Sequence, residues 1–570
     1  MSATISLSDR GSNLDSTRKV TSEQQNDTVA DEAQQLPCEE WQPSHHERAI
    51  IYTLAIISLL VALDASIIVT SLNAIIVDIG GTAIQAFWIG TSYLLVNAVT
   101  MPVICAVSDV FGRPICLIFS LVAFSAGTIC CCTAHSITAM LVGRSIQGVG
   151  GAGIHSLGLV IQTDIVPLRW RPKWYGVTLG AWAFGLSLGP IIGGAVVQRT
   201  TWRWIFYLMF PFCGFGLVAV PYLLTLKPKT ATVREKLGRI DWIGSIMFMG
   251  SATSFLMGVS WGGIQNPWDS AETLAPLIIG VLGLVMTIVY EYYFAKQPFL
   301  RRSLFRNKMS VVTYTLGCIQ GLVMYGLLYY GPFYFMSVRD FDPLNAGISM
   351  LAALLTVTVA GIVSGRLVTH FNNYRWPMCV GWLIGSIGAG LFLVWSSDDR
   401  AVIWLITYLL SGLGQGTVLN AQNFASQAMC QPGDEAAAAA MYAFVRQFGM
   451  ALGVGVGGTA FQNVMALKLE WQGLPTEIAK QAEAYIAVLH ALPDGDYKTA
   501  ILDSYKFGFT GVYSVYLGLC VVALVLCVAF VRNLSLTRNH ESEHQLDGDR
   551  LARHWGPKDN SEAKTTVVVA

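Results

Sequence analysis

Between residues 48 and 531 the chain alternates long apolar runs with short polar breaks. A helix that crosses a bilayer needs about 20 mostly apolar residues. Fourteen runs meet that length, starting near Ala49, Phe87, Ile115, Ile137, Tyr175, Trp202, Ile240, Leu274, Met309, Pro343, Arg375, Ala401, Ala439 and Phe507. The pattern predicts an all-α integral membrane protein, and an even number of crossings puts both termini on one side. Residues 1–47 and 532–570 are polar, carry no long apolar run and read as disordered tails. The first tail holds no signal-peptide pattern.

Basic residues orient such a chain, because Lys and Arg collect in the short cytosolic loops. With the tails inside, the inner loops hold Arg113, Arg169, Arg171, Lys173, Lys227, Lys229, Arg234, Lys236, Arg239, Lys296, Arg301, Arg302, Arg306, Lys308, Arg366 and Arg375. The outer loops then hold only Arg199, Arg203, Arg339 and Arg400. Both termini are therefore expected in the cytosol. The longest loop, 467–506, is expected outside. Within it Ile478, Ala482, Tyr485, Ile486 and Leu489 share one helical face, as in a short helix lying on the membrane or one capping the protein. The sequons at Asn26 and Asn533 both fall in the inner tails, so no glycosylation is expected.

Composition narrows the class. Of 570 residues, 53% are hydrophobic and 13% charged, against about 25% charged in soluble proteins. The net charge is zero, which points away from nucleic acid as a partner. The twelve cysteines lie mostly in apolar runs and form no CxxC pair, so buried thiols are expected rather than disulfides or metal. The nine histidines are scattered, which leaves no metal cluster. There is no GxxxxGK[ST], HExxH or GxSxG pattern. The chain is thus expected to be neither an enzyme nor a nucleotide-driven pump, and to use no cofactor. Gly148, Gly150 and Gly153 spell GxGxxG, but inside an apolar run this reads as helix packing.

The chain also repeats itself. Gly185, Gly189, Gly193, Gly194 and Gln198 match Gly449, Gly453, Gly457, Gly458 and Gln462 at one offset of 264. Gln147 and Gly148 match Gln415 and Gly416 at an offset of 268. Two related six-helix halves are expected, over residues 48–226 and 309–531. Between them, residues 227–308 supply polar linkers and two inserted helices. Repeated halves around a central site are a common transporter plan. Glycines four residues apart make a flat helix face that another backbone can approach closely. Pro190 has Val454 as its counterpart, so the second copy keeps the seam without the proline.

On the fifth run Gly185, Gly189, Pro190, Gly193 and Gly194 match GxxxGPxxGG, which resembles the signature of the major facilitator superfamily's antiporters. The loop SDVFGRP is similar to that family's GxLaDrxGrkxxl through Asp109, Gly112 and Arg113. Cys105, Val110 and Pro114 depart from the pattern, which implies a weaker charge latch. GRSIQG resembles RxxqGxgaa through Arg144, Gln147 and Gly148, and LDASIIVTSLNAII resembles lDxTIvnvALPxI through Asp64, Ile67, Leu72 and Ile75. Ser66 stands for the usual threonine there and Asn73 for the usual proline. The resemblance is to the fourteen-span drug:proton antiporter branch, and within it to fungal toxin and secondary-metabolite efflux pumps. It implies two six-helix bundles plus two inserted helices. It also implies export of amphipathic small organic molecules, driven by inward protons.

Ionisable residues inside hydrocarbon cost several kcal/mol and mark functional sites by default. Asp64 and Arg144 fall at matching depths on the first and fourth runs. They are expected to face each other across a polar pocket, as a proton-coupling element or as a fixed pair. Gln147, one turn from Arg144, is expected to line the same cavity, and Arg446, in the inner half of the thirteenth run, is expected to be a gating or a packing charge. His155 could titrate or serve as a hydrogen-bonded packing histidine, Asn420, Gln422 and Asn423 could line the pathway or reach the inner headgroups, and Trp88, Trp182 and Tyr325 are candidate aromatic contacts. The expected product is a monomer in the bilayer, with the plasma membrane ahead of the vacuole. Two alternatives remain open: an importer of the same fold, for example of siderophores, and a non-transporting nutrient sensor.

Overall fold

The long elements of the chain are all helices, as the apolar runs require. The structure, a computed structural model, describes residues 41–534 apart from residues 69, 82, 225–232, 263–265, 267, 296–297, 396–400 and 481. The expected tails and the Asn26 sequon lie almost wholly outside the described residues. The first half contains α1 (His45–Ile67), α2 (Ala83–Phe111), α3 (Arg113–Cys132), α4 (Ile137–Ile165), α5 (Arg171–Arg199) and α6 (Phe210–Leu223). Next come α7 (Trp242–Trp261) and α8 (Ala271–Tyr293). The second half contains α9 (Lys308–Val338), α10 (Leu351–Phe371), α11 (Arg375–Leu391), α12 (Ala401–Met429), α13 (Glu435–Trp471) and α14 (Asp496–Phe530).

Thirteen segments among the described residues are long and apolar enough to cross a membrane. α4 is the expected crossing that is missing from them. Its glycines and its buried Arg144, Gln147 and Gln162 lower its hydropathy. Yet it has 29 residues, about 43 Å at 1.5 Å per residue, and it packs along α2 and α3. Its glycines explain how. A Cβ on Gly148 would meet the Tyr93 carbonyl of α2 at 2.9 Å, and one on Gly150 would strike the Phe124 backbone of α3. The GxGxxG is a packing device on two faces.

The halves repeat each other's packing. In the first, α5 packs on α1, α4 on α2 and on α3, and α6 on α3. In the second, α13 packs on α9, α12 on α10 and on α11, and α14 on α11. The glycine seams sit in the same register. A Cβ on Gly185 would meet the Leu59 carbonyl at 2.7 Å, and one on Gly189 the Ile67 nitrogen at 2.8 Å. In the second copy a Cβ on Gly449 would strike the Cys318 carbonyl, and one on Gly453 would lie 3.1 Å from the Gly326 nitrogen. Residues 59 and 67 differ from 318 and 326 by one constant offset, so the repeat extends from α5 and α13 to their partners α1 and α9. Pro190 faces the second half: a methyl on Gly347, in the short helix Pro343–Ser349, would touch its ring at 3.4 Å.

The contacts between halves are also reciprocal, α5 on α10 and α13 on α2. α7 and α8 pack on each other, and α7 lies against α2 and α13. A charged bridge adds to this at the end that carries the α2–α3 loop. Arg301, in the linker after α8, reaches Asp434 at 2.6 Å and Asp109 at 3.2 Å. Asp109 belongs to the first half and Asp434 opens α13 of the second, so one guanidinium ties three parts of the chain.

The loop before α14 differs from expectation. α13 runs to Trp471 and α14 begins at Asp496, so much of the 467–506 stretch extends the two helices. The remainder holds the short helices Glu477–Lys480 and Ala482–Ala491. Ile478, Ala482 and Leu489 are buried in the second half's core, with Tyr485 and Ile486 packed beside them. Of the two sequence readings, the capping helix is the one realised. Asn533, the second sequon, serves the fold: its side-chain oxygen accepts from the Tyr374 backbone N–H at 3.3 Å and its amide donates to the Asn372 carbonyl. At the loop joining α5 to α6, Asp78 accepts from the Arg203 guanidinium and from the Trp202 indole. Those two donors hold its carboxyl below the usual carboxylate range.

Two outcomes follow from this packing. Gly189→Leu and Gly453→Leu push side chains into facing backbone, a strain of about 1–3 kcal/mol each, and lower the melting temperature of detergent-purified protein. Gly214→Ala, with nothing within 4 Å of its new methyl, is tolerated; equal melting of all three would refute the seam. In a double-mutant cycle, Arg301→Gln and Asp434→Asn show a coupling of about 0.5–1 kcal/mol, modest because Arg301 is partly exposed. Strictly additive losses would show that the bridge holds nothing.

Candidate functional site

Asp64 sits near the end of α1, on the helix that the glycines of α5 hold tightly. Arg144 is two turns into α4. They meet directly: Nη1 of Arg144 donates to Oδ2 of Asp64 at 2.8 Å. No polar pocket lies between them. Asp64 is 1% exposed and Arg144 and Gln147 are 0%, so the pair is screened from water on every side.

Neighbouring helices complete the network. Arg144 Nε donates to the Ile89 carbonyl of α2 at 3.2 Å, and the Tyr93 ring lies 4.5 Å from the guanidinium carbon. Gln147 accepts from Arg144 Nη1 at 2.8 Å. It donates to Thr128 Oγ1 of α3 at 2.8 Å and to Asp64 Oδ1 at 3.4 Å. One ion pair thus gathers α1, α2, α3 and α4. A pair buried this well is costly to break, about 3–5 kcal/mol when one partner is removed. It can therefore hold a helix arrangement, and a proton delivered to Asp64 would weaken that hold.

A second site lies between the halves. A cavity of about 20 Å³ is lined by Ser58, His155, Tyr175 and Trp182 of the first half and by Leu419 and Arg446 of the second. That is room for about one water. Arg446 Nε donates to Gln320 Oε1 of α9 at 2.9 Å. Its guanidinium carbon lies 5.7 Å from the Trp182 ring, and that ring stands 6.5 Å from His155. Arg446 and Trp182 are 264 residues apart, equivalent positions in the repeat that face each other across the junction of the halves.

The loop motif forms a charge cluster at one end. Gly112 has φ +102°, a conformation that side chains avoid, and it starts α3. That turn sets Arg113 against Asp109 at 2.5 Å and against Asp164 of α4 at 3.2 Å. Beside it a cavity of about 590 Å³ is lined by Cys105, Asp109, Arg113, Arg239, Arg301 and Asp434, among others. Despite Cys105, Val110 and Pro114, the aspartate and arginine of the motif are in contact.

The structure thus brings Asp64, Arg144 and Gln147 together and sets Arg446 apart, in the other half. Trp182 and His155 join Arg446. Trp88 instead packs edge-on against Trp261 of α7, with ring centres 6.1 Å apart. Tyr325 is half-buried on α9. Asn420 donates to the Gly361 carbonyl of α10 at 2.8 Å, Gln422 accepts from Tyr442 at 3.5 Å, and Asn423 accepts from Gln427 at 3.2 Å. They tie buried helix faces, and Gln427 in turn accepts from Arg171 of the first half at 2.9 Å. Sequence reasoning missed Tyr93, Thr128 and Gln320 as partners, and Asp164, Asp434 and Arg301 as charge contacts. Arg301 had been counted only as an orienting charge. Its pairing spans loops far apart in the chain, so no local pattern announces it.

Known proteins agree with this architecture. Residues 54–454 match the model of the Major Facilitator Superfamily. The "MFS transporter L2" of Phoma sp. is 38% identical over 491 residues, 85% of this chain and 82% of that one. The "Efflux pump FUS6" of Gibberella moniliformis is 31% identical over 510 residues, 88% and 90% of the two chains. The "MFS-type efflux pump LUC4" of Fusarium sp. is 31% identical over 511 residues, 87% and 90% of the two. Among solved structures, the human organic anion transporter MFSD10 aligns with a TM-score of 0.55 at 14% identity, covering 85% of this chain and all of that one. The proton:xylose symporter XylE aligns with a TM-score of 0.54 at 13% identity, covering 86% and 96%. With its repeated halves, its matched seams and these relatives, the chain belongs to the major facilitator superfamily and is a membrane-spanning transporter.

Proposed function

We propose that this transporter exports amphipathic small organic molecules, toxins or secondary metabolites, in exchange for protons entering across the plasma membrane. The observation that carries the coupling is the buried Asp64–Arg144 pair at 2.8 Å, bound into four helices. Protonation of Asp64 removes the charge that holds Arg144 and leaves the guanidinium to Gln147, the Ile89 carbonyl and the Tyr93 face. α1 is then freer to move against α4, and it carries α5 with it through the glycine seam. Ser58, on the same helix as Asp64, lines the cavity between the halves, so such a movement reaches the cargo site. Release of the proton on the inner side restores the pair. Alternating access of this kind needs a charge change at one place and two packed arrangements of the halves.

The direction of transport is inferred from the complete GxxxGPxxGG stretch and from the relatives named as efflux pumps. An importer of siderophores, or a sensor, would use the same fold.

Asp64→Asn is expected to reach the membrane and to lose proton-driven efflux by about ten-fold or more, read as dye movement into everted vesicles under an imposed pH gradient. Undiminished efflux would remove Asp64 from the coupling step. Cells lacking the chain should retain more of a fluorescent amphipathic dye. Unaltered dye retention with reduced uptake of iron chelates would replace export by import.

A further inference from the structure

We infer that the cavity between the halves is an anion site, and that the cargo are amphipathic organic acids held through a carboxylate or enolate by Arg446. The inference rests on the efflux reading and narrows its substrate class.

Arg446 lies within α13 and is 5% exposed. A cation buried in a membrane protein is expected to have a partner of opposite charge. Arg144 has Asp64, and Arg113 has both Asp109 and Asp164. Arg446 has only neutral neighbours among the described residues: the Gln320 amide oxygen at 2.9 Å, the Met324 sulfur at 3.6 Å and the Trp182 ring. No described carboxylate pairs with it, and none lines the cavity it faces. Glu435 is on the same helix, but eleven residues away, about 16 Å at 1.5 Å per residue.

The unmet charge borders the cavity between the halves. The cavity draws its walls from both halves, so separation of the halves enlarges it from one side or the other. A guanidinium presents a planar fork of donors that fits a carboxylate with two parallel bonds. Only Nε is committed to a good acceptor; the sulfur at 3.6 Å is a weak one. Much of the wall is apolar or aromatic, with Trp182, Tyr175, Leu179 and Leu419. An acid head on Arg446 and an apolar body along these side chains is the ligand this lining describes. His155, Ser58 and Thr178 add polar groups to the lining and no negative charge. A bound anion makes the loaded cavity neutral, so the halves close over a compensated charge.

The test uses purified protein in liposomes and two probes of one shape, pyrenebutyrate and its neutral amide pyrenebutyramide. Wild-type protein is expected to favour the acid by about ten-fold, roughly 1.4 kcal/mol. In Arg446→Gln the ratio falls to about one, while Arg446→Lys keeps a ratio between the two. The ratio, rather than total transport, is the readout, since loss of folded protein lowers both probes alike. An unchanged ratio in Arg446→Gln, or a wild type that moves acid and amide equally, overturns the anion assignment and leaves efflux standing. A wild type that moves neither overturns both.

Discussion

A charge in hydrocarbon must be met by something, and that requirement organises this chain. Hydration is lost, the backbone is already committed to helices, and the cost of an unmet ion is several kcal/mol. Three of the four buried arginines among the described residues show three ways of meeting it. Arg113 takes two aspartates at the edge of the first half. Arg144 takes Asp64 and then recruits an amide, a carbonyl and an aromatic face from four helices. Among the described residues Arg446 finds only an amide, a thioether and an indole. The first two arginines are met by carboxylates, and the third, at the junction of the halves, by neutral groups.

Glycine decides where those charges can stand. The seams between α1 and α5 and between α9 and α13 bring backbones into contact. Helices that close move as pairs. The helix of Asp64 is therefore packed tightly on α5, and that of Arg446 on α9. The repeat puts Trp182 and Arg446 at equivalent positions, so the two halves offer unlike side chains to one place. The repeat thus places an aromatic ring opposite a cation at the junction.

Much of this was legible in the sequence. Apolar runs of spanning length located the helices, and the constant offset of the glycines announced both the repeat and its seams. Asp64, Arg144 and Gln147 stood out because ionisable and amide side chains are rare inside such runs. Other features were hidden for physical reasons. Asp64 and Arg144 fall at matching depths, but depth does not say whether two side chains touch or flank a space. The start of α14 was misplaced because Asp496, Lys498 and Lys506 interrupt hydropathy without interrupting the helix. The 467–506 stretch has an amphipathic face that suits either lipid or protein, and only the packing of Leu489 and Ile478 into the core decides it. Arg301 joins Asp109 and Asp434 across a sequence distance that no local pattern spans.

The composition of α4 bears on how the protein is made. A segment with Arg144, Gln147 and a row of glycines partitions poorly into lipid by itself; an arginine at mid-helix alone is worth about 2.5–3.5 kcal/mol against insertion. The acid that neutralises it is already in place on α1, and the glycine faces are shaped for α2 and α3. Pairing with Asp64 and packing on α2 and α3 would offset that cost if the first three helices are still at hand when the fourth emerges. The Asp64 carboxylate that pairs with Arg144 in the folded chain is the group on hand to offset that charge as the fourth helix enters the bilayer.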